Sequence, residues 1–328
     1  MKRIVSGIRP TGDLHLGHYL GVLKNWVKLQ DDYQCFYFIA DWHALTSEYK
    51  DPSIIEQSTR DIVTIWLSVG IDPEKSVIFR QSHIKTHAEL FLLLSMITPI
   101  SWLERNPTYK EMKEELKEKD LSTFGFLGYP VLQASDIVIY NADKVPIGED
   151  QLPHLELTRE IVRRFNFLYN DTILKEPMEI LTEAPKVPGL DGRKMSKSYG
   201  NAIFIDETEE SLTEKVMQML TDPKRKTRKD PGEPHDCNLY PFHEYFTDEV
   251  TKQEVQVGCR TAGIGCVDCK HILIKSLIAE FHSIWEKIGY YRGHATLVDE
   301  ILNDGCRKAI KESDLTIARV RAAMQLME

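Results

Sequence analysis

The sequence predicts an α/β fold with a parallel sheet in its first part, followed by a mostly helical region. Short apolar runs alternate with segments of helical periodicity up to about residue 205, and the strand pattern fades after that point. Alternation of strands and helices is typical of a doubly wound parallel sheet. The 328 residues of the chain are enough for two moderate domains.

The elements of the first region occur in the order that such a sheet requires. Residues 4–6 form a short apolar strand, and from 16 to 27 apolar residues recur every three or four positions, as in a helix. Residues 36–40 are a continuous apolar and aromatic run, as in a buried parallel strand. This is the pattern of a Rossmann-type nucleotide-binding domain, whose ligands bind on the loops after the strands. The remaining elements are a helix at 54–69, a strand at 77–79 and a helix at 89–97.

The second region shows helical periodicity at 209–220, 272–288 and 314–327. We therefore predict a Rossmann-type domain at residues 1–205 and a helical domain at 206–296. The sequence leaves open whether the last helix, at about 297–328, packs back on the first domain.

Composition and charge restrict the class of protein. No run of about 18 apolar residues is present, and the first seven residues are too short and polar for a signal peptide, which predicts a cytoplasmic protein without a membrane partner. The net charge of −9 argues against a protein that coats DNA or other nucleic acid indiscriminately. A basic run at 224–229 is read either as a solvated loop or as a local basic surface.

The most specific motif is the segment 10–18, which lies between a predicted strand and a predicted helix. The start of a helix offers unpaired backbone N–H groups and the positive end of its dipole, and both favour phosphate. His15 and His18 flank Leu16 and Gly17 at this point, and they add hydrogen-bond donors. Alone, the pair could equally be surface histidines at a helix cap.

A second motif, Lys194-Met195-Ser196-Lys197-Ser198, follows a Gly-rich turn. Two lysines on such a loop suit a mobile clamp on polyphosphate, because the ammonium group is a compact charge with three donors. Alone, the segment could be an exposed basic loop. The two motifs in this order, about a domain apart, are a strong signal for a nucleotide triphosphate site.

Together these motifs resemble the signature motifs of class I aminoacyl-tRNA synthetases, and the chain is similar to the tryptophanyl members over nearly its whole length. The resemblance implies activation of L-tryptophan with ATP to tryptophanyl-adenylate and pyrophosphate, and then transfer to tRNA(Trp). It also implies a homodimer, an anticodon-binding role for the helical domain, and Mg²⁺ that enters with the polyphosphate. The stretches that carry the tryptophanyl likeness are 7–12, 40–46, 145–151 and 164–166.

The resemblance also assigns nucleotide-site residues. Arg9 departs from the glutamine expected at that position, which leaves its role open, and Lys110 is a further candidate phosphate contact. The catalytic residues implied are His15, His18, Lys194 and Lys197. The ATP-binding residues implied are Arg9, Pro10, Thr11, Gly17, His18, Gly148, Glu149, Asp150, Val187, Lys194, Met195, Ser196, Lys197 and Ser198.

The amino-acid pocket is expected around Asp136, a carboxylate in an otherwise apolar helix. Burial of an unpaired charge is costly, so the residue is either functional or a cap for a neighbouring helix. The resemblance assigns it to the indole N–H of tryptophan. The tryptophan-binding residues implied are Asp136, Tyr129, Gln151, His43 and Gln133.

Four cysteines in the second region, Cys237, Cys259, Cys266 and Cys269, are either a metal site or a coincidental grouping, and we predict a metal site, because disulfides are rare in the cytoplasm. Structural zinc usually takes two short ligand pairs, and only the last two cysteines form one. We therefore favour a [4Fe-4S] cluster, which some bacterial tryptophanyl enzymes of similar sequence carry, with Zn²⁺ as the alternative.

Three rival functions remain. A tyrosyl-tRNA synthetase could use the same carboxylate to accept from a phenol hydroxyl. An adenylyltransferase of a different substrate would share only the histidine motif. A non-catalytic paralogue or iron–sulfur sensor would share the scaffold, but both phosphate motifs argue against it.

Overall fold

The structure is a computed structural model of the chain, and it describes residues 1–107, 122–181 and 187–326. The chain divides into two compact units. The first contains Met1–Gly12, Asn25–Glu183 and His294–Glu328, and the second contains Asp13–Lys24 and Ala184–Gly293.

A parallel sheet forms the centre of the first unit and confirms the predicted fold class. In the described residues it has five strands in the order β3-β2-β1-β4-β5, and all the neighbouring strands run parallel. The strand order reverses between β1 and β4, which is the arrangement of a doubly wound sheet. The strands are β1 (Arg3–Ile8), β2 (Gln34–Ile39), β3 (Ser76–Arg80), β4 (Lys144–Ile147) and β5 (Met178–Leu181).

Helices account for most of the remaining described residues. The first, α1 (Leu16–His18), continues through a π-helical turn at Tyr19–Leu23 into α2 (Lys24–Leu29). The others are α3 (Asp41–Glu48), α4 (Ser53–Val69), α5 (Thr86–Ser95), α6 (Ile100–Arg105), α7 (Phe124–Val138), α8 (Leu152–Leu168), α9 (Glu209–Gln218), α10 (Tyr240–Phe246), α11 (Glu249–Arg260), α12 (Cys266–Gly293) and α13 (Ala295–Ala323).

The core of the first unit is apolar and aromatic. Trp26 of α2 stacks on Tyr37 of β2, with ring centroids 4.1 Å apart, and meets the edge of Trp66 of α4. The last helix, α13, packs against β3 in this unit. A Cβ at Gly305 would lie 1.8 Å from the carbonyl oxygen of Ile78, so only glycine permits this close approach.

The second unit is mostly helical and includes residues 13–18 of the first motif and the whole of the lysine motif. Backbone pairing within this unit joins residues 14–16 to residues 203–205. The N–H of Leu16 donates to the carbonyl of Ile203 (3.0 Å), and that of Ile205 donates to Leu14 (2.9 Å). Isolated pairings of this kind leave no hydrophobic pattern in the sequence.

In the described residues, no helix is both long enough and apolar enough to cross a membrane.

Candidate active site

The loops after β1 and β4 meet at the point where the strand order reverses. Ligands of doubly wound sheets bind outside the carboxyl ends of the strands at this point. Arg9 after β1 is exposed and interacts electrostatically with Glu48, and the two residues that follow it, Pro10 and Thr11, are buried and half-buried. After β4, a short 3₁₀ turn begins at Gly148, where a Cβ would lie 2.6 Å from Oδ1 of Asp150.

The carboxylates of this second loop face outward. Glu149 and Asp150 are exposed, and Gln151 donates from Nε2 to Oδ2 of Asp150 at 2.8 Å. The loop therefore presents carboxylate oxygens at the edge of the sheet.

The two histidines of the first motif are held by the backbone of the helix they begin. Nδ1 of His15 accepts the N–H of Gly17 at 3.0 Å, and Nδ1 of His18 accepts the N–H of His15 at 3.2 Å. Because each Nδ1 is an acceptor, a neutral ring carries its hydrogen on Nε2. Both imidazoles therefore present an Nε2–H donor.

Both histidines stay neutral at physiological pH. Burial, together with the charges of Lys197 and Lys194, lowers the pKa of His15 to about 4. Burial also lowers the pKa of His18 to about 3, with smaller contributions from His15 and Lys197. The electrostatic effect of the two lysines shows that the second unit brings the two signature motifs together.

The lysine motif lies on a loop braced by its own side chains. Lys194 is exposed, Met195 is buried, and Lys197 begins a 3₁₀ turn that ends at Gly200 with φ of +63°. The hydroxyls of Ser196 and Ser198 lie 2.9 Å apart. Upstream, the buried Val187 accepts the N–H of Met195 at 3.1 Å. Lys110 lies outside the described residues.

Asp136 of α7 is completely buried and is the centre of a polar network in the first unit. Its Oδ1 accepts from Nε2 of Gln81 at 2.7 Å and from Nδ1 of His87 at 2.6 Å. Its Oδ2 accepts from Nε2 of His43 at 2.7 Å. Burial favours the neutral acid, but His43 and His87 outweigh it, so the pKa of Asp136 lies below its ordinary value.

The network continues through residues that sequence reasoning missed. Nε2 of His87 lies 2.6 Å from the hydroxyl of Tyr140, and the backbone N–H of Trp42 donates to Oε1 of Gln81 at 3.1 Å. The second contact fixes the orientation of the Gln81 amide, so that its Nε2 faces Asp136. The signal available in the sequence for His87 was a histidine at the start of the largely apolar segment that forms α5.

Gln133 and Tyr129 lie on the same side of α7 as Asp136, one and two turns before it, respectively. The hydroxyl of Tyr129 lies 2.8 Å from Nε2 of His154, whose Nδ1 is 3.2 Å from Nδ2 of Asn106. Because Nδ1 accepts from this amide, Nε2–H donates to the Tyr129 oxygen, and the hydroxyl hydrogen is directed to another acceptor. His154 also was not predicted.

The four cysteines of the second unit influence one another electrostatically. Burial raises the pKa of Cys269 to about 12, and the other three thiols, Cys237, Cys259 and Cys266, contribute to the increase. In the described parts of the chain, however, no group of three or more His, Cys, Asp or Glu side chains is arranged to hold a single metal ion. The described residues therefore show no site at these thiols for a single metal ion.

The comparisons with known proteins agree with this geometry. The family described as tRNA synthetases class I (W and Y) matches residues 1–282. The tryptophan–tRNA ligase of Thermotoga maritima is 54% identical, and the match covers 99% of both chains. That of Aquifex aeolicus is 45% identical over 99% of this chain and 100% of the relative.

A solved structure extends the likeness to three dimensions. Tryptophanyl-tRNA synthetase from Campylobacter jejuni, complexed with ADP and tryptophan, matches with a TM-score of 0.90 at 34% identity, covering 98% of this chain and 99% of that chain. The chain therefore belongs to the class I tRNA synthetases for tryptophan and tyrosine. Within this class, it is a member of the tryptophan–tRNA ligase family.

Proposed function

We propose that this enzyme activates L-tryptophan with ATP to tryptophanyl-adenylate and pyrophosphate, and then transfers the tryptophanyl group to tRNA(Trp). The activity is that of a tryptophan–tRNA ligase. The observation that carries the choice of amino acid is the buried carboxylate of Asp136.

The hydrogen bonds of Asp136 favour a ligand with a single N–H donor. A carboxylate has about four lone-pair sites. Gln81 and His87 occupy two on Oδ1, and His43 occupies one on Oδ2. One acceptor site on Oδ2 remains for the indole N–H of tryptophan, which has no other strong hydrogen-bonding group.

A phenol fits this environment less well. The hydroxyl of tyrosine would donate to Oδ2, but its oxygen also has lone pairs that need donors. The donors of His43, His87 and Gln81 already point at the carboxylate. This argues against the tyrosyl alternative.

The polar end of the amino acid is assigned to Tyr129 and Gln151. Gln151 donates its Nε2 to Asp150, so its Oε1 suits the ammonium group of the substrate. Tyr129 supplies a hydroxyl oriented by His154. His43 and Gln133 would flank the indole ring.

In the first unit, we assign nucleotide contacts to the loops where the strand order reverses. Glu149 and Asp150 are exposed carboxylates that would accept hydrogen bonds from the ribose hydroxyls. Gly148 lets the ligand approach the backbone. Arg9, with Pro10 and Thr11 beside it, would add a positive charge next to ATP.

In the second unit, we assign the phosphates to the two signature motifs. His15 and His18 would donate from Nε2–H, and Gly17 leaves the helix start open. The Lys194–Ser198 loop would follow the departing pyrophosphate, with Lys194 and Lys197 stabilising the charge that develops on it. Val187, together with Met195, offers the adenine an apolar surface. The Mg²⁺ that accompanies ATP would neutralise phosphate charge.

We further propose that Cys237, Cys259, Cys266 and Cys269 hold a [4Fe-4S] cluster with a structural role. The surrounding residues fit such a group. A Cβ at Gly232 would lie 2.8 Å from Sγ of Cys259, so glycine leaves space beside this sulfur.

Arg225 provides a second reason to expect a sulfur-containing group. Its Nε is buried and has no hydrogen-bond partner among the described residues, and its Nη1 lies 4.0 Å from Sγ of Cys259. Cluster sulfurs commonly accept N–H hydrogen bonds. A cube binds its four thiolates on different irons, whereas zinc draws four sulfurs within about 3.8 Å of one another, given Zn–S bonds of about 2.3 Å.

The remaining assignments concern partners and location. We propose that the helices α9 to α12 form the anticodon-binding region and that the enzyme works in the cytoplasm as a homodimer. Exposed apolar side chains in α5, in the turn after it and at the start of α6 support a self-associating surface: Leu92 is 54% exposed, Met96 66% and Ile100 62%.

The direct test is ATP–pyrophosphate exchange with tryptophan, tyrosine and phenylalanine in turn. We expect stimulation by tryptophan far above that by the other two. Stimulation by tyrosine alone would overturn the choice of amino acid, and no stimulation by any amino acid would favour a non-catalytic protein.

A further inference from the structure

The residues just before the Lys194–Ser198 loop accept hydrogen bonds from an asparagine that is adjacent to Cys237 in the chain. Asn238, the residue after Cys237, donates from Nδ2 to the carbonyl of Gly189 at 2.9 Å and lies 3.5 Å from that of Leu190. The backbone N–H of Leu220 also donates to the Leu190 carbonyl, at 3.1 Å. Two consecutive carbonyls before the lysine motif are thus held from outside the loop.

The base of the loop is a tight turn that cannot absorb much displacement. The N–H of Gly189 donates to Arg193 at 2.6 Å, and that of Gly192 donates back to Gly189 at 3.1 Å. Gly192 has φ of +83°, a conformation that favours glycine. The side chain of Asn238 lies against this turn, 3.6 Å from where a Cβ of Gly192 would be.

A second asparagine transmits the position of this base to the lysines. The carbonyl of Asn201 accepts the N–H of Leu190 at 2.9 Å, and its Oδ1 accepts the N–H of Ser196 at the same distance. Its Nδ2 donates to Asp191 at 2.7 Å and reaches the carbonyl of Lys194 at 3.3 Å. The turn and the motif therefore behave as one braced segment.

We propose that Asn238 is a positioning residue for the Lys194–Ser198 loop and that it links this loop to the four-cysteine region. The proposal rests on the function proposed above, in which the loop acts on the ATP phosphates. It implies that disturbing the cysteine region lowers the rate of adenylate formation as well as the rate of tRNA charging. The link exists whichever metal the thiols bind.

The test compares Asn238→Asp with Asn238→Ala in ATP–pyrophosphate exchange. The aspartate has the same size and shape but loses the Nδ2 donor and sets an oxygen against the Gly189 carbonyl. We expect kcat to fall about tenfold in both variants, which corresponds to the loss of one or two hydrogen bonds. The KM for tryptophan should change less than twofold, because Asp136 and its partners belong to the first unit.

If Asn238 only fills space, the isosteric aspartate would retain wild-type kcat, and the proposal would be overturned. A matched control is Asn303→Ala, at an exposed position of α13. This variant should leave kcat and KM unchanged. Tryptophan binding followed by fluorescence verifies that each variant is folded.

Limited trypsin digestion supplies a readout that does not depend on activity. Cleavage after Arg193, Lys194 and Lys197, mapped by mass spectrometry, should accelerate severalfold in both Asn238 variants and not in the control. Unchanged cleavage at these sites would overturn the proposal that Asn238 positions the Lys194–Ser198 loop. Faster cleavage with an unchanged rate of ATP–pyrophosphate exchange would support the positioning role of Asn238 and contradict the catalytic role given to the lysines.

Discussion

Replacement of Asp136 by asparagine changes the one acceptor site that we assign to the substrate. Gln81 and His87 both donate to Oδ1, so the amide oxygen of the asparagine will take that position. Its NH₂ group then takes the place of Oδ2, where His43 and the indole N–H donate to the wild-type carboxylate. The substrate N–H will face another N–H and lose its acceptor.

The size of the effect follows from the charge of the acceptor. Hydrogen bonds to charged groups contribute about 1.5–3 kcal/mol, and each 1.4 kcal/mol is about a factor of ten. We therefore expect kcat/KM for tryptophan to fall by roughly 10- to 150-fold in Asp136→Asn.

The assay measures pyrophosphate exchange with tryptophan and with an analogue that carries sulfur in place of the indole nitrogen. The wild-type enzyme should discriminate against the analogue by a similar factor, and Asp136→Asn should accept the two within about twofold of each other. Asp143→Asn is a suitable control, because Asp143 accepts from the N–H of Arg3 and pairs with Lys175, away from this network. Equal use of both substrates by the wild-type enzyme would refute the role given to Asp136.

Three further outcomes test other parts of the molecule. Lys197→Ala should lower the rate of adenylate formation in a single turnover while tryptophan affinity is retained, and weaker ATP binding at an unchanged rate would place this lysine in ground-state binding instead. The pKa of His154 is lowered to about 4 by burial, so the unfolded state takes up its proton first and stability is lost as the pH falls from 6.5 towards 4. The difference between the unfolded and folded pKa of His154 corresponds to roughly 3 kcal/mol in the free energy of unfolding. The free energy measured by urea unfolding should therefore depend less on pH in His154→Gln than in the wild-type protein. An unchanged pH dependence would contradict the buried neutral state. The wild-type protein purified without oxygen should contain iron and sulfide, each near four per chain, and Cys266→Ser should lose both. One zinc per chain in the wild-type protein would contradict the cluster.

The sequence predicted β1, β2 and β3, each of which contains buried apolar residues, and it did not predict β4 or β5. In β2 every residue after Gln34 is buried, which produces a continuous apolar run. The strand β4 has only four residues and includes Pro146, and β5 has no fully buried residue. Neither has a pattern that separates it from a loop, so only the sheet itself reveals them.

The polar network around Asp136 also could be predicted only in part from the sequence. A carboxylate in an apolar helix identifies Asp136 from the sequence alone, since an unpaired buried charge is costly. Its partners Gln81 and His87 are far from it in the chain, and nothing local connects them. Sequence reasoning can therefore find the charged centre of a buried network more readily than the groups that orient it.

The spacing of the histidine motif has a structural cause that the sequence did not reveal. His15 uses its Nδ1 to cap the N–H of Gly17, and His18 uses its Nδ1 to accept the N–H of His15. A Cβ at Gly17 would lie 2.8 Å from the His15 ring, so a side chain there would displace the cap. Because capping consumes both Nδ1 atoms, each ring can offer a phosphate only its Nε2–H. Since the pKa values of the two rings lie near 4 and 3, this donor is present without a positive charge throughout the physiological range, and in the proposed phosphate site the histidines would contribute hydrogen bonds but no charge.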